Sequence, residues 1–309
     1  MKHLTHIYDF NVDQIDTLIG VAKDIMQNQG KYLDALRGRV LATLFYEPST
    51  RTKFSFEAAM QRLGGSVIGF AGADTTSVVK GESLKDTIRT ISGYANVIVM
   101  RHFQEGVPME AARHSHVPLI NAGDGKNQHP TQTLTDLLTI SSELGRLDNL
   151  TIVMEGDLKH GRTVHSLAEA MMRYKGNHFV FVSPSELKMP EDVLKELDEA
   201  GSTYEVTDDF EAAIKVADVL YMTRLQKERF EDPQEYERLK DRYILDTEKM
   251  KLAKEKMIIM HPLPRVNEIT EEVDDDRRAK YFEQAKYGLF MRMSLILTLV
   301  KESEEDLCF

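Results

Sequence analysis

The sequence predicts an α/β protein made of two doubly wound parallel-sheet domains joined by bridging helices. Two observations predict it. Short apolar runs alternate with helix-spaced amphipathic segments along nearly the whole chain, and that rhythm gives parallel sheets covered by helices. The 309 residues also leave room for two such domains or one large one.

The elements follow in order. Val40–Tyr46, Val67–Phe70, Val97–Met100 and Pro118–Asn121 read as buried strands. Between them, Phe54, Ala58 and Leu63, then Leu84, Ile88, Ile91 and Tyr94, are spaced as on one helix face. The pattern resumes with strands Leu150–Met154, His178–Val182, Val219–Met222 and Met257–Met260, and with helices over 162–174 and 191–200. The division is expected in the helical pattern near Leu134–Leu144, giving one domain from 1–133 with 287–309 and another from 134–286. Tyr287–Val300 reads as a long apolar helix whose natural place is on the first domain. Residues 301–309 read as a solvated acidic tail, and Asp274-Asp275-Asp276 as a helix start or solvated turn.

Composition narrows the function. Hydrophobic residues make up 42% and charged residues 29%, an ordinary globular mixture. A net charge of -11 argues against a nucleic-acid surface or an anionic membrane, though a few converging cations can still hold a small anion. The single cysteine, Cys308, forms no internal disulfide or cysteine-rich zinc site, and a reducing cytosol is the expected setting. The start leads into no apolar run, and no stretch of 18 apolar residues occurs, so neither signal peptide nor membrane span is expected. His160 and His165 lack the i, i+4 spacing of a helical zinc pair. No metal and no cofactor are expected.

The sharpest local signal is Phe45-Tyr46-Glu47-Pro48-Ser49-Thr50-Arg51-Thr52-Lys53. A strand ends and a helix begins with hydroxyls and a guanidinium. Unpaired N–H groups and the positive dipole end make such a helix start a phosphate cradle. The same residues also suit a plain cap by Ser49 or Thr50. The segment is not a Walker loop, and no G-x-G-x-x-G is present. His129 stands out because Gly123, Asp124, Gly125 and Pro130 bracket it on a loop at a strand end.

Ser49-Thr50-Arg51-Thr52 resembles the carbamoyl phosphate loop of the carbamoyltransferase family. Further segments resemble the family's in the same order: the loop 75–82 with Ser77 and Lys80, Met100-Arg101-His102, Asn121 to Gln132, Gly156 to His165, Tyr221 to Arg229, and His261-Pro262-Leu263-Pro264-Arg265. The resemblance covers nearly the whole chain. It implies the carbamoyltransferase fold, with a carbamoyl phosphate-binding domain followed by an aspartate-binding domain. It implies transfer of a carbamoyl group from carbamoyl phosphate to the amine of L-aspartate in pyrimidine synthesis, without metal or cofactor. Contacts to carbamoyl phosphate are implied for Ser49, Thr50, Arg51, Thr52, Ser77, Lys80, Arg101, His129 and Gln132, and for the carbonyl groups of Pro262 and Leu263. Thr52, Arg101, His129 and Lys80 would carry the chemistry. Lys80, Arg162, Thr163, Arg224 and Gln226 would hold aspartate. Glu47 would pair with Arg162 and Arg229 on closure. The resemblance also implies a cytoplasmic homotrimer with shared active sites, either free or bound to separate regulatory chains. Either Ser77 or Thr76 fills the family's serine position in the mobile loop.

Several residues depart from that pattern. Lys53 replaces an arginine, Phe103 a proline, Lys126 a small residue and His160 a tyrosine. Glu155 stands where an apolar residue is usual, and is expected exposed or paired because an unpaired buried charge is costly. The alternative reading is an ornithine carbamoyltransferase. Such enzymes carry His-Cys-Leu-Pro where this chain has His261-Pro262-Leu263-Pro264. Arg162, Arg224 and Gln226 also suit an acidic second substrate.

Overall fold

A computed structural model describes residues 2–72, 77–227, 230 and 232–305. The chain forms two compact units, one from residues 1–138 with 286–309 and one from 139–285. Each is an α/β unit around a wholly parallel sheet.

In the first unit the strands are β1 (Val40–Phe45), β2 (Ser66–Ala71), β3 (Val97–His102) and β4 (Leu119–Asp124). Their order is β2-β1-β3-β4, with Val40 opposite Ser66 and Leu41 opposite Val97. β3 and β4 are buried along their whole length, which is why their first residues do not alternate between apolar and polar. Ala42, Leu44, Ile98, Met100 and Leu119 form the core with Ile88 of α3 (Leu84–Ser92) and Ala111 of α4 (Val107–His114). α1 (Val12–Gln27) opens with a capping box between Asn11 and Gln14. α2 (Thr50–Arg62) follows β1.

The second unit holds β5 (Thr151–Glu155), β6 (His178–Val182), β7 (Thr203–Thr207), β8 (Val219–Met222) and β9 (Ile258–Met260), in the order β7-β6-β5-β8-β9. Val153, Val180, Leu220, Met222 and Ile259 pack with Phe210 and Ile214 of α8 (Phe210–Val216). Around them run α6 (Arg162–Met171), α7 (Glu191–Glu199), α9 (Pro233–Leu239) and α10 (Thr247–Met250). The chain passes between the units in two helices, α5 (Pro130–Leu144) and α11 (Tyr281–Glu305). No helix among the described residues is long and apolar enough to cross a membrane.

Four expectations need correction. β7 was not foreseen, because Thr203, Glu205 and Thr207 interrupt its apolar residues. As the edge strand of its sheet it needs little apolar surface. α6 stops at Met171, short of residue 174. The tail expected to be solvated is helical through Glu305, and Glu304 pairs with Arg39; residues 306–309, with Cys308, lie outside the described residues. The acidic run closes a short 3-10 helix with Asp275 exposed, but its other two acids are paired with cations. Asp274 pairs with Arg265 and accepts from the Tyr281 hydroxyl, and Asp276 pairs with Arg278 at 2.6 Å.

α2 ends at Gly64, whose φ is +83° and whose missing Cβ would overlap the Leu33 carbonyl. Only glycine takes this left-handed position without strain. Gly64→Ala is expected to lower unfolding free energy by about 2–3 kcal/mol. Urea denaturation should show an earlier midpoint at unchanged slope.

Candidate active site

In a doubly wound sheet, ligands bind at the carboxyl ends of the strands where the winding reverses. In the first unit that point lies between β1 and β3. β1 leads through Glu47 and Pro48 into α2, and β3 ends in Arg101 and His102. Ser49 is the N-cap of α2, but its side chain makes no capping hydrogen bond. Its hydroxyl is therefore not spent on a cap. Thr50 and Arg51 are exposed and Thr52 is buried.

Arg101 sits where the β3–β4 register shifts, between Met100 and His102. Such irregularities re-aim side chains beside functional sites. Its guanidinium donates to the Ala122 carbonyl at 3.2 Å and pairs with Glu47 at 3.2 Å. Burial holds its pKa below the usual arginine value, partly offset by Glu47. Its buried Nε has no protein acceptor among the described residues. Glu47, expected opposite Arg162 and Arg229, has Arg101 as its ion-pair partner; Arg229 lies outside the described residues.

The loop after β4 carries His129 and Gln132 into α5. Asp124, fully buried, anchors this loop. Its carboxylate accepts from the amides of Gly106 and Gln128 at 2.8 and 3.0 Å, and from the side chains of Asn121 and Asn127 at 2.9 and 3.0 Å. His129 is 6% exposed, with Nδ1 3.4 Å from the Thr131 hydroxyl. Gln132 uses its amide nitrogen on Asp136 at 2.8 Å. Its carbonyl oxygen is thus its acceptor end, the polarity an NH2 group needs. Lys80 is exposed at the end of the short turn Ser77–Lys80. Thr76 and the side chain of Ser77 lie outside the described residues.

In the second unit the winding reverses between β5 and β8. The β5 loop leads to Arg162 and Thr163 at the start of α6, and the β8 loop carries Arg224 and Gln226. Gly156, φ +117°, lets the loops approach: a Cβ there would overlap the Thr223 carbonyl. Buried Asp157 accepts from the His160 amide at 3.0 Å and faces its ring at 3.1 Å. The His160 carbonyl accepts from Gln226 at 3.2 Å. This bond ties the two loops together and orients the Gln226 amide. His165 donates to the Leu158 carbonyl at 2.6 Å.

β9 ends in the turn bearing Pro262 and Leu263. The Leu263 amide donates to His261 Nδ1 at 2.8 Å. With Nδ1 an acceptor, Nε2 carries the ring proton, and it faces Glu268 at 2.7 Å. Leu263 has φ +53°, a strained value for a branched residue.

The two halves match two family profiles. One, aspartate/ornithine carbamoyltransferase, carbamoyl-P binding domain, covers residues 2–142. The other, the Asp/Orn binding domain of the same enzymes, covers 148–299. The chain belongs to the aspartate/ornithine carbamoyltransferase family. Within that family it is 56% identical over 295 residues to the aspartate carbamoyltransferase catalytic subunit of Clostridium novyi, covering 96% of each chain. The catalytic subunit of M. jannaschii aspartate transcarbamoylase superposes with TM-score 0.93 at 48% identity, over 98% of this chain and 99% of that one. Aspartate transcarbamoylase from Trypanosoma cruzi in complex with N-(phosphonacetyl)-L-aspartic acid superposes with TM-score 0.91 at 44% identity, over 96% and 95%.

The departures from the carbamoyltransferase pattern resolve individually. Lys53 pairs with Glu57 one turn along α2. Phe103 stacks on His102 at 4.4 Å. Lys126 is exposed. Glu155 contradicts its expectation. It is 1% exposed, and its Oε2 has no protein partner among the described residues. Burial, then the charge of Glu268, raises its pKa well above the ordinary carboxyl value.

Asp124 was seen only as a bracket of His129. The neighbouring Gly123, Gly125 and Asn127 were the available signal, since acids in such loops collect backbone amides. Asp124→Ala is expected to cost roughly 3 kcal/mol of stability, because it strands several buried donors. It should also cut turnover through the misplaced His129. Asp124→Asn should lose less of both, which melting curves and steady-state kinetics on the two variants would check.

Proposed function

We propose that this chain transfers the carbamoyl group of carbamoyl phosphate to the α-amine of L-aspartate, giving N-carbamoyl-L-aspartate and phosphate for pyrimidine synthesis. The observation that carries the reading is the pair of cation-bearing switch points, Arg51 with Arg101 and Arg162 with Arg224. They suit a phosphate and a dicarboxylate respectively.

Carbamoyl phosphate already has a good leaving group, so positioning and oxyanion stabilisation suffice. Ser49, Thr50, Arg51, Thr52 and Arg101 receive the phosphate, joined by Ser77 and Lys80. Thr52, Arg101 and His129 donate to the carbonyl oxygen as the amine adds and the tetrahedral oxyanion forms. Gln132 and the carbonyls of Pro262 and Leu263 accept from the carbamoyl NH2. Arg162, Thr163, Arg224, Gln226 and Lys80 hold aspartate. Carbamoyl phosphate belongs to residues 1–133 with 287–309 and aspartate to 134–286. Glu47 and Arg229 serve closure. The matches of the T. cruzi enzyme in complexes with carbamoyl phosphate, with aspartate and with both support this reading.

Aspartate is favoured over ornithine because Arg162 and Arg224 stand on the two loops at the second switch point and would repel the cationic side chain of ornithine. Assayed with carbamoyl phosphate, the protein should turn over aspartate and leave ornithine unreacted. Turnover of ornithine alone would refute the proposal.

The chain is further proposed to act in the cytoplasm as a homotrimer, free or with regulatory chains, in which Lys80 reaches the neighbouring site. Arg51→Ala and Lys80→Ala should each be nearly inactive. After dissociation, equal mixing and reassembly, three quarters of the trimers are mixed and each regains one intact site in three. About a quarter of wild-type activity should therefore return. No recovery, with mixed trimers confirmed, would rule out the shared site.

A further inference from the structure

Glu155 ends β5 at the switch point of the second sheet, yet it has no role in the chemistry above. Its buried Oε2 and the Tyr243 hydroxyl both lack protein partners among the described residues. Both residues line a cavity of about 10 Å³, together with Glu268 and Arg224. That is close to the room one water molecule needs.

The charge in this cavity can be assigned by geometry. Glu268 accepts from His261 Nε2 at 2.7 Å and from the amides of Val266 and Asn267 at 3.1 Å each. A carboxyl surrounded by donors is the ionised one. Burial pushes the Glu268 pKa up, but these donors outweigh it and the net direction is down. Two carboxyl groups sharing one small buried cavity do not readily both ionise, and they titrate as a pair. Glu155 therefore holds the proton. The other charged or titratable groups lining the cavity are Arg224, Tyr236, Lys240 and Tyr243. Lys240 is paired with Glu237, and Arg224 is a cation that would favour ionising Glu155.

We propose that Glu155 is a positioning residue: it stays a neutral carboxylic acid, leaves Glu268 the only anion in the cavity, and so keeps the Glu268–His261 pair that holds the Pro262–Leu263 turn. The chain of contacts runs from Glu268 to His261 Nε2, and from His261 Nδ1 to the Leu263 amide. Leu263 needs that hold because of its strained positive φ. Ionising Glu155 places a second negative charge beside Glu268, which weakens the pair and loosens the turn. The kinetic consequence rests on the carbamoyltransferase reading; the protonation state does not.

The test compares wild type with Glu155→Gln, which keeps the neutral shape and cannot ionise. A raised folded pKa means the folded protein binds the extra proton, so this group's stabilisation is lost as pH rises from the ordinary value of 4.5 through the folded value. The Tm of Glu155→Gln relative to wild type should therefore climb steadily with pH above that point. Infrared spectra of the wild-type protein near neutral pH should show a protonated carboxylic acid band that the variant lacks. In kinetics, the wild-type KM for carbamoyl phosphate should rise about tenfold on the alkaline side as one charge-assisted bond weakens, with kcat nearly constant, and the variant should lack this rise. Parallel Tm–pH curves would overturn the proposal, as would a wild-type spectrum without that band, which can be recorded even if the variant misfolds. Expected spectra and Tm behaviour with no turnover of aspartate would instead overturn the reaction and leave the protonation assignment standing.

Discussion

A parallel sheet that winds outward in both directions from its first strand must leave one gap where neighbouring loops depart to opposite sides. Everything functional in this chain depends on that gap occurring twice. In the first unit it separates the loop after β1 from the end of β3, and in the second it separates the loops after β5 and β8. Helix starts α2 and α6 open from these gaps, so backbone N–H groups and the guanidinium groups of Arg51 and Arg162 come from the same short segments. The sheets need only be buried and regular; the loops inherit their placement from them.

Loops at such gaps would be floppy without internal anchors, and buried acids supply them. Asp124 gathers amides and side-chain donors for the loop before His129. Asp157 fixes His160, whose carbonyl orients Gln226. Glu268 does the same for the turn after β9. In each case an acceptor-only group is surrounded by donors, which is the arrangement that makes a buried carboxylate tolerable. Three of the proposed active-site loops thus carry a buried acid of their own. This accounts for part of the acidic balance of -11 without implying an acidic binding surface.

Much of this was legible in the sequence. Strands β3, β5, β6 and β8 carry apolar runs of four residues or nearly so, such as Val97–Met100 and Val219–Met222, because both faces of their sheets are covered. The motif segments that lie wholly among the described residues fall at strand ends or helix starts, where the β–α rhythm placed them. What was hidden was pairing over distance. Nothing near Glu304 signals Arg39, and nothing near Asp274 signals Tyr281. Edge strand β7 was invisible because an edge can be polar. Glu155 was misjudged for a related reason. A sequence shows a charge symbol, whereas burial beside Glu268 raises that side chain's pKa and favours its neutral form.

The electrostatics of the first site add a last constraint. Arg101 is buried, which disfavours its charge, and Glu47 at 3.2 Å is its nearest anion. In the reaction proposed, an incoming phosphate would not meet a bare guanidinium; it would compete with Glu47 for one. The free energy of anion binding is thus the difference between two ion pairs, smaller than either alone. That difference would favour the phosphate, because Arg51 and the α2 amides can add to it, whereas Glu47 has Arg101 as its one ion-pair partner among the described residues. Selectivity for a multiply charged anion over a single carboxylate then follows from the counter-ion already in place.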